Sequence, residues 1–174
     1  GLWHRGSGAI HRPALDQYFF LAQQPYLQAG TVRTQLVYPS AHADLGDAQL
    51  LDILREVQLP RLAERVGGLD AVHDWEKLLS VGEQQRLAFG RVLVHGPRVV
   101  ILDEAASALD AANEESLYAR LRKGGATLVS IAHRAAVLRH HTHVLCLKGE
   151  GAWELHDAAA FPFGGPPAHP APQA

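Results

Sequence analysis

Along this chain the apolar positions switch between two periods, and the switches mark where elements begin and end. "YFFLAQ" (Tyr18 to Gln23) is a compact apolar run that predicts a strand, and the rest of residues 1–40 reads as short strands and turns. From Asp44 to about Val66 the period lengthens to that of a helix. Leu50, Leu51, Leu54 and Val57 share one face, Pro60 interrupts the run, and Gly67 and Gly68 close it. Ser80-x-x-Glu83 has the form of a capping box, predicting a helix that runs through "EQQRLAFGRVLVHG" and stops at Gly96-Pro97. "RVVILD" is then an unbroken β-branched run, as expected of a parallel strand buried on both faces. A helix over "NEESLYARLRKG", a strand "ATLVSIAH", a short helix from Ala135 to Arg139 and a hairpin "HVLCLKGEGAWEL" turning at Gly149 to Gly151 complete the order.

Strands alternating with helices predict an α/β fold around a parallel layered sheet. The proline-rich segment from about Asp157 is expected to be disordered or loosely attached. Composition changes this picture little. With 47% hydrophobic and 20% charged residues among 174, the chain is long enough for one domain with a sizeable core. A net charge of -2 provides no basic footprint for nucleic acid, so no nucleic-acid partner is expected. The single cysteine, Cys146, excludes an internal disulfide framework and a CxxC metal site, and it fits a reducing compartment. No apolar run of about 18 residues occurs. The N-terminus "GLWHRGSG" lacks an initiator Met and is unlike a signal peptide.

Four features carry chemistry. Asp103 and Glu104 close a buried strand at the sheet edge where α/β proteins place ligands. Adjacent strand residues point to opposite sides, so one carboxylate can hold Mg²⁺ while the other orients or deprotonates a water attacking a γ-phosphate. "LSVGEQQR" places Ser80 and Gly82 at a helix N-terminus, whose free N–H groups and partial positive charge suit an anion. His133 ends the strand "LVSIAH", from which it would reach the same edge as Glu104 and contact a γ-phosphate. Gln23 ends an early strand and can touch a metal or water through its amide. Taken singly, each also reads as ordinary structure: a capped helix, solvated acids at a strand end, a surface histidine, a polar loop residue.

Together, the order Gln23, "LSVGEQQR", "ILDEAASALD" and "IAHR" resembles the ATP-binding cassette domain of ABC transporters, over residues 1 to about 156. The resemblance implies a partial P-loop NTPase fold: a parallel core sheet with a helical subdomain carrying the signature motif. It divides the chain into residues 1–43 (remainder of the N-terminal catalytic core, with the Q-loop), 44–85 (helical subdomain), 86–156 (Walker B, D-loop and H-loop) and 157–174 (disordered tail). It makes Gln23 the Q-loop glutamine, and Ser80, Val81, Gly82, Glu83 and Gln84 the signature motif. Asp103 becomes the Mg²⁺-coordinating acid, Glu104 the catalytic glutamate, Ser107 to Asp110 the D-loop and His133 the switch histidine. Gln23 is also implied as a metal contact and Asp110 as a nucleotide contact. ATP and Mg²⁺ are the implied ligands. The implied partners are a second cassette, whose nucleotide this signature motif would serve, and a membrane permease at the cytoplasmic face of a bacterial inner membrane. "FFLAQQPYLQAGTVRTQLVYP", "DWEKLLSVGEQQRLAFGR" and "HVLCLKGEGAWEL" are similar to fused permease–ATPases related to peroxisomal fatty-acyl transporters, with SbmA/BacA-like and YddA-like bacterial relatives.

Three departures bear on that reading. Val81 stands where the signature usually has Gly, and Ala106 where Thr is commoner; neither change removes a metal ligand or a base. No Gly-x-x-x-x-Gly-Lys-Ser/Thr occurs in the 174 residues, although that loop would carry most of the phosphate binding. "GLWHRGSGAI" looks like the segment just downstream of such a loop, so the expectation is a truncated cassette, inactive and aggregation-prone alone because apolar sheet faces such as "RVVIL" are exposed. The alternatives are a non-hydrolysing partner donating its signature motif in trans and the product of a decayed gene. A DNA-repair or chromosome ATPase of the same superfamily fits less well, because the stretch between Gln23 and Ser80 is too short for heptad arms and Cys146 stands alone.

Overall fold

The computed structural model describes residue 9, residues 11–40 and residues 45–163. Most of "GLWHRGSGAI", Asp44 and the chain from residue 164 onward lie outside the described residues. Three parallel strands, β1 (Tyr18–Leu21), β2 (Val99–Asp103) and β3 (Thr127–Ile131), form a sheet with β2 central. Phe19 pairs with Val100, Leu102 with Ser130 and Asp103 with Ile131, so the three C-terminal strand ends emerge at one edge. The mixed α/β architecture expected from the alternation is present.

Between β1 and β2 the chain builds a helical unit: α1 (Val32–Val37), α2 (Asp47–Glu56), α3 (Leu62–Arg65), α4 (Trp75–Leu78) and α5 (Val81–His95). The helical run expected from Asp44 to Val66, interrupted at Pro60, is two helices with the break at that point. After α2, Gln58 adopts a left-handed φ of 60°, the Leu59 amide reaches back to the Leu54 carbonyl at 2.7 Å, and Pro60 has no N–H to continue the ladder. Helix α1 replaces the strands and turns expected before residue 40. Its β-branched residues Val32, Thr34 and Val37 read locally as strand. Thr31 nevertheless makes a capping box with Thr34, and Val32 and Leu36 are fully buried, so packing overrides propensity. Helix α5 follows expectation, with Ser80 as N-cap and Gly96 as a left-handed C-cap at φ 53°.

Beyond β2 come α6 (Ala111–Lys123), β3, a 3-10 segment Ala135–His140, and an antiparallel hairpin of β4 (His143–Gly149) and β5 (Ala152–Asp157). The tail expected to be loose from Asp157 is ordered at its start: Asp157 pairs with His143 in the hairpin, and Ala158 is buried in a 3-10 turn. One contiguous core joins Leu21, Val100 and Leu102 of the sheet to Leu36, Leu50, Leu54, Trp75, Leu87 and Phe89 of the helices. The strand "RVVILD" is not buried on both faces among the described residues. Val100 and Leu102 are covered, while their neighbours Val99 and Ile101 are half-buried. On the flanking strands Phe20, Val129 and Ile131 are 58%, 49% and 52% exposed.

Candidate functional site

The three strand ends deliver Gln23, Asp103–Glu104 and His133 to one edge. Strand β1 stops at Leu21, so Gln23 lies two residues past the strand rather than at its end. Its amide Nε2 donates to Glu104 Oε2 at 3.1 Å. From β3 the His133 Nε2 lies 3.1 Å from the other carboxylate oxygen, Oε1. Glu104 is thus held at both oxygens by residues from two different strand ends. His133 is exposed and Glu104 half-buried, which leaves this edge open to a ligand.

Glu104 diverges from Asp103 by a different device from the strand pleat. Strand β2 ends at Asp103, and Glu104 takes a left-handed φ of 48° while its amide donates to the Ile131 carbonyl at 2.9 Å. A non-glycine residue in that region costs of order 1–3 kcal/mol and persists only where its surroundings enforce it. Here the Ile131 bond ties the strained residue to β3. A cleft of about 230 Å³ opens beside it, lined by Glu104, Ser107, Glu114, Tyr118, His133 and Arg134 among others.

At the start of α5, Ser80 Oγ accepts from the Glu83 amide at 3.3 Å and donates to Glu83 Oε2 at 3.0 Å, and the same oxygen accepts from the Ser80 amide at 2.9 Å. Arg65 of α3 adds an ion pair to Glu83 at 2.6 Å. Burial pushes the Glu83 carboxyl up, but the Arg65 guanidinium and the Ser80 hydrogen bonds outweigh it, and the group sits below its ordinary range. Ser80 and Val81 are exposed. Gly82 is needed for close approach: a Cβ there would lie 3.1 Å from the Ala108 carbonyl oxygen.

Two of the predicted contact residues also make hydrogen bonds within the fold. The Gln84 side chain is buried and donates to the Glu76 and Leu79 carbonyls at 3.3 and 3.0 Å, stitching α4 to α5. Asp110 is the N-cap of α6, accepting from the Asn113 amide at 2.9 Å, and the Asn113 hydrogen bonds hold its carboxyl below the usual range.

Two residues that matter were not singled out from the sequence. Gln85, on the buried stripe of α5 with Ala88, Phe89 and Val92, touches both the Gln23 loop and the loop after Glu104. A polar residue at i, with apolar partners at i+3, i+4 and i+7, was the available signal. Arg134 follows His133 and donates to the Ala106 and Leu109 carbonyls at 2.6 and 3.2 Å while pairing with buried Glu114. Among the described residues, no group of three or more His, Cys, Asp or Glu is placed to hold a metal, and no helix is long and apolar enough to cross a membrane.

With that geometry in place, comparison with known proteins gives a consistent answer. A family model described as "ABC transporter" matches residues 10–107. An uncharacterised ABC transporter ATP-binding protein of Synechocystis sp. is 48% identical over 155 residues, covering 89% of this chain and 23% of its own length. ATP-binding cassette sub-family D member 3 of Homo sapiens is 38% identical over 159 residues, covering 88% of this chain and 24% of its own. Among solved structures, a bacterial Atm1-family ABC exporter with ATP bound is similar with a TM-score of 0.63 and 27% identity, over 75% of this chain and 23% of that one. The chain therefore spans about a quarter of the length of these relatives.

Proposed function

The chain belongs to the ABC transporter family, and from that premise we propose that it forms part of an ATP-hydrolysing cassette that powers a membrane transporter. The observation that carries the reading is the grip on Glu104: Gln23 Nε2 on one oxygen and His133 Nε2 on the other, at the C-terminal edge of a parallel sheet. A carboxylate presented there can take a proton from water as that water attacks the γ-phosphate of ATP. The water oxygen bonds to phosphorus, the bond from phosphorus to the β–γ bridging oxygen breaks, and ADP leaves with that oxygen's electron pair. In this reading His133, exposed beside Glu104, donates a hydrogen bond to the γ-phosphate, and Gln23 orients the water through its amide.

The Asp103 carboxylate and the Gln23 side-chain oxygen are hard donors at the same edge. They fit the protein's share of a Mg²⁺ whose remaining ligands are phosphate oxygens and waters. Bound there, the ion would neutralise charge on the phosphates. Ser80 and the free N–H groups at the start of α5 suit the γ-phosphate held by a second cassette, which makes a cassette pair and a membrane permease the partners of this reading.

The test uses the full-length protein. With Glu104→Gln, Mg-ATP is expected to remain bound after rapid desalting and to hold two cassettes together, as read by cross-linking, while the unaltered protein releases ADP. Absence of nucleotide and of pairing in both proteins would overturn the proposal.

A further inference from the structure

Gln85 is 1% exposed and spends its amide on two separate segments, through three hydrogen bonds. Nε2 donates to the Gln23 carbonyl at 3.0 Å and to Ser107 Oγ at 3.3 Å, and Oε1 accepts from the Ala108 amide at 3.0 Å. Gly82, one turn earlier, lies so close to the Ala108 carbonyl that a Cβ would stand 3.1 Å from it. The Ser107 amide in turn donates to the Glu104 carbonyl at 3.0 Å. One buried side chain therefore touches the backbone of Gln23 and the loop that follows Glu104, from behind the pair whose side chains meet at 3.1 Å.

We propose that Gln85 is a positioning residue for the Gln23–Glu104 pair, fixing the two loops to α5 and so tying their spacing to the helix whose N-terminus carries Ser80. This rests on the function proposed above. Both donor hydrogens and one acceptor lone pair are in use, shared between the two loops, so no apolar residue of the same size reproduces the bracket. Without it the Ala108 amide, the Gln23 carbonyl and Ser107 Oγ lose their shared partner, and the loops are free to shift. Misplacement of about 1 Å at a reacting centre costs on the order of 10²-fold in rate. Gln85 touches no reacting atom, so binding of ATP itself should be spared.

The experiment is Gln85→Met in the full-length protein, with steady-state ATP hydrolysis and amide exchange measured on one preparation. Turnover (kcat) is expected to fall about tenfold or more with KM for ATP within about twofold. Exchange at Ala108 should accelerate while the amides of Leu87 to Val92 are unchanged. A kcat equal to that of the unaltered protein overturns the proposal. So does a loss of rate matched by an equal loss of folded protein. Should the variant fail to fold, the unaltered protein decides: Ala108 must be protected to the level of Ala88 and Phe89, and rapid exchange there overturns the bracket. Glu104→Gln runs alongside. Equal hydrolysis with and without Glu104 would defeat the function reading itself, whereas a dead Glu104→Gln beside a fully active Gln85→Met defeats this inference alone.

Discussion

Replacing Arg91 by Met removes a cation buried to 4% exposure whose hydrogen bonds, among the described residues, all go to amide oxygens. Its Nε donates to the Gln35 carbonyl at 2.7 Å, Nη1 to the Tyr26 carbonyl at 2.8 Å and Nη2 to Gln35 Oε1 at 3.0 Å, and the guanidinium stands 4.9 Å from the centre of the Tyr38 ring. The first bond has a local cause. The Gln35 carbonyl lies in the last turn of α1, where its helical partner would be the amide of residue 39, and residue 39 is proline. Arg91 supplies the donor that Pro39 lacks. Burial pulls the guanidinium down to about 10, corresponding to roughly 3 kcal/mol of desolvation that Met would avoid. Against that, the two buried acceptors on Gln35 would lose their donor at about 2.5 kcal/mol each, and the half-buried Tyr26 carbonyl at about 1 kcal/mol. The orphaned acceptors outweigh the recovered desolvation, and the net loss is about 3 kcal/mol. Urea unfolding of the chain in dilute solution, followed by far-ultraviolet circular dichroism, should show the midpoint falling by about 1.5 M for a slope near 2 kcal/mol per M. A fall of less than about 0.5 M would mean that the network binding α1 to α5 does not carry the energy assigned to it.

Three further outcomes are expected. Gly90→Ala gains about 1 kcal/mol of helix propensity, but its Cβ would stand 2.6 Å from Leu36 Cδ2 and 3.4 Å from Ile53 Cγ2 in a full core, where overpacking costs about 1–3 kcal/mol. The melting temperature should drop, and adding Leu36→Val should recover part of it; a rise in the single variant would refute the close α1–α5 packing. His140 is buried against the Tyr118 ring at 4.7 Å, and burial lowers its pKa below the ordinary value despite the opposing charge of Glu115. Between that lowered value and about 6.5 the unfolded chain binds more protons, so this contribution to stability is complete above about pH 6.5 and is lost as pH falls through the window. Urea midpoints from pH 5 to 7.5 should show that slope, and His140→Phe should flatten it. Finally, Val129→Thr with Ile131→Thr should reduce hydrophobic-dye binding by the isolated chain, because both residues lie on its exposed sheet face; unchanged dye binding would count against that face as the source.

Much of this was legible in the sequence, for physical reasons that differ by element. Helix α5 announces itself through the Ser80–Glu83 capping box and the Gly96 stop, both local signals. Strand β2 reads correctly because a β-branched run has few other uses, though its second face is less covered than such a run suggests. Helix α1 was hidden because Val32, Thr34 and Val37 favour strand, and only burial of Val32 and Leu36 decides for helix. The meeting of Gln23, Glu104 and His133 follows from three parallel strands ending at one edge. The left-handed turn that aims Glu104 depends on the Ile131 carbonyl 27 residues later, and no local pattern encodes it. The buried stripe of α5 marks Gln85 as buried, but what it touches is not local. Its partners Gln23 and Ser107 lie 62 and 22 residues away along the chain.

Steady-state ATP hydrolysis by the full-length protein, with and without Glu104→Gln, tests the central claim most directly. A general base contributes on the order of 10²- to 10⁴-fold, so turnover should fall by about that factor while ATP binding persists. Hydrolysis by the Gln variant within about threefold of the unaltered protein would contradict the role assigned to Glu104 and, with it, the reading of the Gln23–Glu104–His133 cluster as a hydrolytic centre.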